Sequence, residues 1–310
     1  MAILLDRRQH GRGPERTSGP RPAVQSVLRS VPLLPAVALL AVFLLGPILY
    51  SLYGSLTDRS LTGPAAANPQ FIGLENYTDL FASPVFWSSL VLTLVFVVGS
   101  ALIGQNVLGM ALALLLQAAS RPVRSVVSTI VVVAWVLPEI VAAFALYAFF
   151  SGTGTLNIAL GWLGLEGTGW LIVLPILAVT LANVWRGTAF SMMVYSAALA
   201  EVPPEITEAA EIDGASGPQR FFRITLPMIR RAISTNLMLI TLQTLGVFTL
   251  IWVMTGGGPG TSSATLPVLA YQQAFKFAQV GYGTAIATVT LVIGGLFAII
   301  YIRVLKPEVD

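Results

Sequence analysis

Long runs without a charged residue punctuate the chain, and several reach the roughly 20 apolar residues that a helix needs to cross the hydrocarbon of a bilayer. Six spans are expected. The first covers residues 32–53, inside the uncharged stretch from Ser30 to Thr57, and the second covers residues 86–117, inside the uncharged stretch from Leu80 to Ser120. The second is long for one crossing and is interrupted by Gly104-Gln105-Asn106, so a steep or bent helix is expected. The third (125–150) carries Glu139 and the fourth (170–200) carries Arg186. The fifth (233–254) is free of charge, and the sixth (283–304) is free of charge apart from Arg303 near its end.

Composition agrees with lipid as the main solvent. Of 310 residues, 55% are hydrophobic and 10% charged, with a mean hydropathy of +0.81. A soluble domain carries about 25% charge. The fold class expected is therefore an all-α membrane protein with six transmembrane helices. An Arg/Pro-rich leader (1–30), a membrane domain (31–305) containing a cytoplasmic loop (201–231), and a short tail (306–310) divide the chain.

Counting also excludes chemistry. There is no cysteine, and the single histidine, His10, lies in the leader, which removes thiolate and histidine metal sites and His-based triads. Both lysines lack the Gly-Lys-Ser/Thr setting of a phosphate-binding loop, so nucleotide hydrolysis by that route is excluded.

Basic residues set the orientation. With the N-terminus inside, 14 of 17 fall on the cytoplasmic side, leaving Arg59 and Lys276 outside and Arg186 within a span. Both termini are thus expected in the cytoplasm. The pI of 9.4 is explained by arginines spread along one membrane face rather than gathered with aromatics, which argues against nucleic acid. The first apolar run exceeds a signal peptide's, so a retained anchor is expected.

The loop between the fourth and fifth spans is the most informative stretch. Pro204 suits a helix first turn and Gly214 a left-handed cap, which predicts a short helix of about ten residues. Glu205, Glu208 and Glu211 recur along it, and Ala209, Ala210, Gly214 and Ala215 would let another backbone approach. Residues 218–231 read as a second, amphipathic helix, with Pro227 turning the chain into the fifth span.

These residues resemble the transmembrane subunits of ABC importers that work with a substrate-binding protein. The hallmark is Glu-Ala-Ala, three residues, Gly, nine residues, Ile-any-Leu-Pro, and Glu208-Ala209-Ala210, Gly214 and Ile224-Thr225-Leu226-Pro227 match it throughout. Phe71-Ile-Gly-Leu-Glu-Asn-Tyr77, Trp185-Arg186 and Thr255-Gly-Gly-Gly-Pro-Gly260 further resemble permeases for maltose-like sugars and glycerol phosphate. Glu139, after Pro138, departs from that branch, where a small or hydroxyl residue is expected.

The resemblance implies a type I importer permease in a bacterial cell membrane, handling a sugar or polyol. It implies as partners a second homologous permease, two cytoplasmic ATPase subunits that hold ATP and Mg, and an extracytoplasmic solute-binding protein. This chain itself would need no cofactor. Glu205, Glu208, Ala209, Ala210, Gly214 and Ala215 would then meet an ATPase, and the loop Gly256, Gly257, Gly258, Pro259 would face the binding protein. A permease for amino acids, peptides or phosphate is the nearest alternative; an intramembrane enzyme using Glu139 is a more distant one.

Charge within a bilayer is costly, which makes Glu139 and Arg186 candidates for the substrate pathway. Their alpha carbons are expected at depths differing by under about 10 Å, so an ion pair joining the third and fourth spans is the competing expectation. Asn183, Gln243, Thr244 and Trp252 complete the pathway candidates, with Asn106, Asn236, Tyr147 and Trp185 as weaker ones. Gln243 and Thr244 are preferred because the fifth span follows the coupling loop directly.

Overall fold

The computed structural model describes residues 33–305, except the side chains of residues 304 and 305. The leader and the tail lie outside the described residues. The chain divides at Tyr50/Ser51 into two compact units. In the first, an apolar helix begins at Leu34; α1, Leu34–Gly54, continues through the division.

Within the second unit the elements in order are α2 (Glu75–Ala82), α3 (Pro84–Ala118), α4 (Arg121–Val136), α5 (Glu139–Phe150) and α6 (Thr155–Trp162). They continue as α7 (Pro175–Ala200), α8 (Pro204–Ile212), α9 (217–228), α10 (Arg230–Leu245), α11 (Thr249–Thr255), α12 (Leu266–Tyr271) and α13 (Val280–Leu305). No strand occurs among the described residues, only an isolated bridge between Thr57 and Phe71.

Local chemistry explains the boundaries. Pro84, Pro122, Pro175, Pro204 and Pro267 each sit in a helix first turn, where the missing N–H has no intrahelical partner to lose. Four helical stretches are long and apolar enough to cross a membrane, namely α1, α3, α5 taken with α6 (Glu139–Trp162) and α13, or five if the bent pair α10–α11 counts as one span. With 26 residues α7 has the length, but Arg186 and the buried Asn183 lower its hydropathy.

The second span is one helix, as expected, and its Gly104-Gln105 interruption closes a π-helical stretch, Val97–Gln105. The third differs from expectation. Pro138 forces Leu137 out of the helical region (ψ 136°), so residues 125–150 are not one helix but the end of α4 and the whole of α5. The fifth differs too: it is broken at Gly246–Phe248, with 48° between α10 and α11.

Three apolar clusters hold the second unit together. One joins α3, α5, α7 and α11 through Phe96, Leu146, Val179, Ile251 and Met254; a second joins Leu80, Phe86, Leu269 and Ile286. The third gathers Ala113, Tyr195, Leu199 and Ile229, with Val202 packed against them, below the α8 loop.

In lipid, helices gain little from hydrophobic burial against each other, so close approach and polar ties matter more. A Cβ at Gly109 of α3 would collide with Ser191, and one at Gly187 of α7 with Gln105. Small residues here serve the α3–α7 seam.

The Phe71–Tyr77 segment is a clamp. The buried Asn76 amide donates to the Ser55 and Thr57 carbonyls at 2.8 and 2.9 Å, and the Tyr77 and Ser55 hydroxyls lie 2.7 Å apart. The Gly281 N–H donates to the Arg59 carbonyl at 2.8 Å, which binds the same turn to the start of α13.

Candidate functional site

The acidic helix forms as the sequence predicts. α8 opens on Pro204 and closes in a Schellman motif: Gly214 has φ +82°, its N–H donates to the Glu211 carbonyl at 3.0 Å, and the Ala215 N–H donates to the Ala210 carbonyl at 2.9 Å. Glu205, Glu208, Ala209 and Gly214 are exposed, while Ala210 and Ala215 are half-buried. Nothing lies within 4 Å of a Cβ at Gly214, so inside this chain the residue is required by backbone conformation and not by clearance.

One ion pair, Glu211 with Arg220, ties α9 to α8, and α9 opens on a capping box in which Gln219 Oε1 accepts the Ser216 N–H at 2.8 Å. Pro227 does not turn the chain. Residues 221–225 wind as a π-helix that absorbs the proline, and the break falls at Ile229 (φ −91°, ψ 8°), a buried residue of the third cluster.

Ile206 and Ile212 project from the acidic helix with 42% and 87% of their surface exposed. The presented face is therefore mixed, acidic with apolar side chains. Sequence reasoning named only its acidic and small residues.

Glu139 and Arg186 are not an ion pair: Glu211–Arg220 is the one salt bridge among the described residues. Glu139 instead accepts the backbone N–H of Leu250 at 3.3 Å. Leu250 is the second residue of α11, whose first N–H groups have no intrahelical acceptor and whose dipole favours an anion. The expected pair assumed straight third and fourth spans; the third is broken at Pro138, and the break after Phe248 exposes a helix end that takes the carboxylate. Arg186 is half-buried, and its Nε is buried without a hydrogen-bond partner.

The asparagines bind helices to one another. Asn183 donates to Ser100 Oγ at 2.9 Å, and its carbonyl accepts from Gln105 Nε2 at 3.3 Å. Asn236, fully buried, has its amide nitrogen 3.0 Å from each of Asn106 Oδ1, Ser191 Oγ and the Tyr195 hydroxyl. The Tyr195 hydroxyl donates to Asn106 in turn. These bonds join α3, α7 and α10.

The preferred candidates on α10 diverge. Thr244 is buried and Gln243 exposed at the end of that helix. Trp252 is half-buried in an aromatic cluster: its ring stacks on Phe248 (centroids 5.8 Å, 17°) and meets Tyr271 at 4.8 Å, and Tyr271 meets Phe275 at 5.1 Å. Phe248, Tyr271 and Phe275 escaped the sequence reading, although Phe248/Trp252 and Tyr271/Phe275 each carry a helical i, i+4 spacing. Tyr147 and Trp185 are exposed.

The glycine loop is only partly outward. Gly256 caps α11 with φ +63°, and Gly257 is buried against Val268 and Gln272 rather than facing out. Gly258 is half-buried, and Pro259 and Gly260 are the exposed part.

Residues 105–310 match the family model described as binding-protein-dependent transport system inner membrane component. The chain belongs to that family. It is accordingly an integral membrane protein of the permease type. It is 34% identical to a sulfoquinovosyl glycerol transport system permease protein of Agrobacterium fabrum, over 89% of each chain. It is 32% identical to a trehalose/maltose transport system permease protein of Thermococcus litoralis, over 88% of this chain and 91% of the relative. A trehalose transport system permease protein of Mycobacterium tuberculosis is 34% identical over 87% and 85%. Among solved structures, a bacterial ABC transporter involved in import of the acidic polysaccharide alginate has a TM-score of 0.77 at 24% identity, covering 93% of this chain and 98% of that one. That likeness is one of fold alone.

Proposed function

We propose that the chain is a permease subunit of an ABC importer for a sugar or a related polyol or glycoside, and that α8 is its contact with an ATPase subunit. The observation that carries this reading is an exposed, acidic, Gly-capped helix with the Glu208-Ala209-Ala210…Gly214…Ile224-Thr225-Leu226-Pro227 spacing, rooted in the cluster around Leu199 and Ile229. The relatives' names supply the solute class: sulfoquinovosyl glycerol, trehalose and maltose are all glycosides.

In this reading six crossings place both termini and α8 in the cytoplasm. A second, homologous permease completes the pathway. Two ATPase subunits hold ATP and Mg, and a solute-binding protein docks at Pro259 and Gly260. Closure of the ATPases displaces α8, and the spans alternate between inward- and outward-facing arrangements. Trp252, within its aromatic cluster, offers a ring face to the sugar. Arg186 contributes a guanidinium to the pathway.

The test is substitution of Glu208 by Lys in the complex purified from its native membrane. The expected result is normal insertion of this chain, loss of co-purifying ATPase, and loss of uptake across a panel of labelled glycosides. Wild-type uptake at normal expression would refute the assignment of α8.

A further inference from the structure

Between α3, α4 and α7 lies a cleft of about 360 Å³, lined by Leu116, Val132, Met192 and Leu199 along its length and by Gln117, Ser128 and Arg124 toward one end. From Arg124 to Val132 the cleft runs roughly 12 Å along α4 at about 1.5 Å per residue. One end is thus at the level where α4 begins and the other lies about two turns further along it, among Leu116, Val132 and Met192. No carboxylate lines it.

Arg124 is held at the mouth. Its Nε–H donates to the Leu116 carbonyl at 2.7 Å and its Nη2 to the Gln117 carbonyl at 2.8 Å, at the C-terminal end of α3. Arg121 stands exposed one turn earlier, and among the described residues neither arginine has a carboxylate partner. A cationic mouth opening on an apolar slot is complementary to one kind of molecule in a membrane, with an anionic headgroup and a hydrocarbon tail.

We propose that this cleft binds an anionic phospholipid, its phosphate at Arg121 and Arg124 and an acyl chain along Val132, Met192 and Leu116. The position gives the lipid a route to the transport cycle. Gln117 and Leu199 also line a second cavity of about 350 Å³, whose other walls include Pro204, Thr207, Arg220 and Phe221 of the coupling loop. Filling the first cleft braces the seat on which α8 and α9 rest. Only the choice of the cytoplasmic leaflet rests on the orientation proposed above, because binding is measured without transport.

The experiment is native mass spectrometry of the detergent-purified complex titrated with phosphatidylglycerol or phosphatidylcholine of equal chain length. Phosphatidylglycerol should be retained more tightly, with about a fivefold loss of affinity on Arg121→Gln, whose side chain holds no other element in place. Val132→Trp should expel the lipid by filling the slot. A photoreactive residue at Ser128 should crosslink to lipid. Equal retention of the two lipids, unchanged retention in both variants, or crosslinking of position 128 to a polypeptide would each overturn the proposal, whatever the outcome of the uptake assays.

Discussion

Glu139 accepts the N–H of Leu250 across the packed faces of α5 and α11, so the carboxylate that follows Pro138 ends on the helix that restarts after Phe248. Glu139→Ala strands that N–H in a buried site and should cost about 1–3 kcal/mol of stability, whereas Glu139→Gln keeps an acceptor oxygen and should cost less. Thermal unfolding of the purified complex distinguishes the two. If Gln is as damaging as Ala, the carboxylate is needed for its charge.

The same bond predicts the outcome of a double-mutant cycle. With no ion pair between Glu139 and Arg186, the losses in Glu139→Gln and Arg186→Gln should add to within about 0.5 kcal/mol in the double variant. Assembled complex is the quantity to read. A double variant more stable than either single one would restore the pair.

Asn236 ties α10 to α3 and α7, and bonds of this kind in membranes contribute about 0.6 kcal/mol each. Asn236→Ala should therefore lower the midpoint of thermal unfolding by a few degrees without changing the concentration dependence of uptake. Gly109→Val, which drives a side chain into Ser191, should abolish accumulation of the folded chain. A raised KM in Asn236→Ala with normal stability would instead place the residue in the pathway.

How much of this was legible in the sequence varies with the kind of signal. α8 could be read because its ends depend on local chemistry, a proline at the start and a glycine with positive φ at the stop. The helices of α1, α3 and α13 could be read because lipid demands long apolar runs. Glu139 was misread because charge counting finds charged partners only, and its acceptor role depends on the backbone N–H of Leu250, 111 residues away, freed by a helix break just before it. The asparagines could be flagged as polar, but their partners depend on rotation about each helix axis, which the π-helical stretch Val97–Gln105 resets. Gly257 reads as a loop residue in any sequence; only packing against Val268 and Gln272 shows that it is buried.

At Gly214 the fold tolerates little besides glycine in its backbone but imposes no steric limit on the side chain. Gly214→Val should destabilise the cap by about 1–2 kcal/mol, while Gly214→Asn, which enters the left-handed region more readily, should spare it. Retained ATPase with Asn and its loss with Val would assign the effect to cap geometry. Loss with both would assign it to clearance at the partner's surface.

Orientation can be checked with single cysteines because the native chain has none. Ser216 and Ser262 are both exposed and suit the purpose better than the buried Gly257. An impermeant maleimide applied to intact cells should label position 262 and spare position 216. The opposite pattern would invert the orientation.

The coupling loop leaves and rejoins the membrane domain at Val202 and Ile229, and both pack on the single cluster of Ala113, Tyr195 and Leu199. A loop anchored at two points on one rigid patch behaves mechanically as a crank rather than a tether. If α8 is the contact proposed above, force applied to it reaches both anchors at once, with the Glu211–Arg220 pair tying α9 to α8. It is then delivered to the ends of α7 and α10 together, and the next change of direction along that path is the 48° bend between α10 and α11.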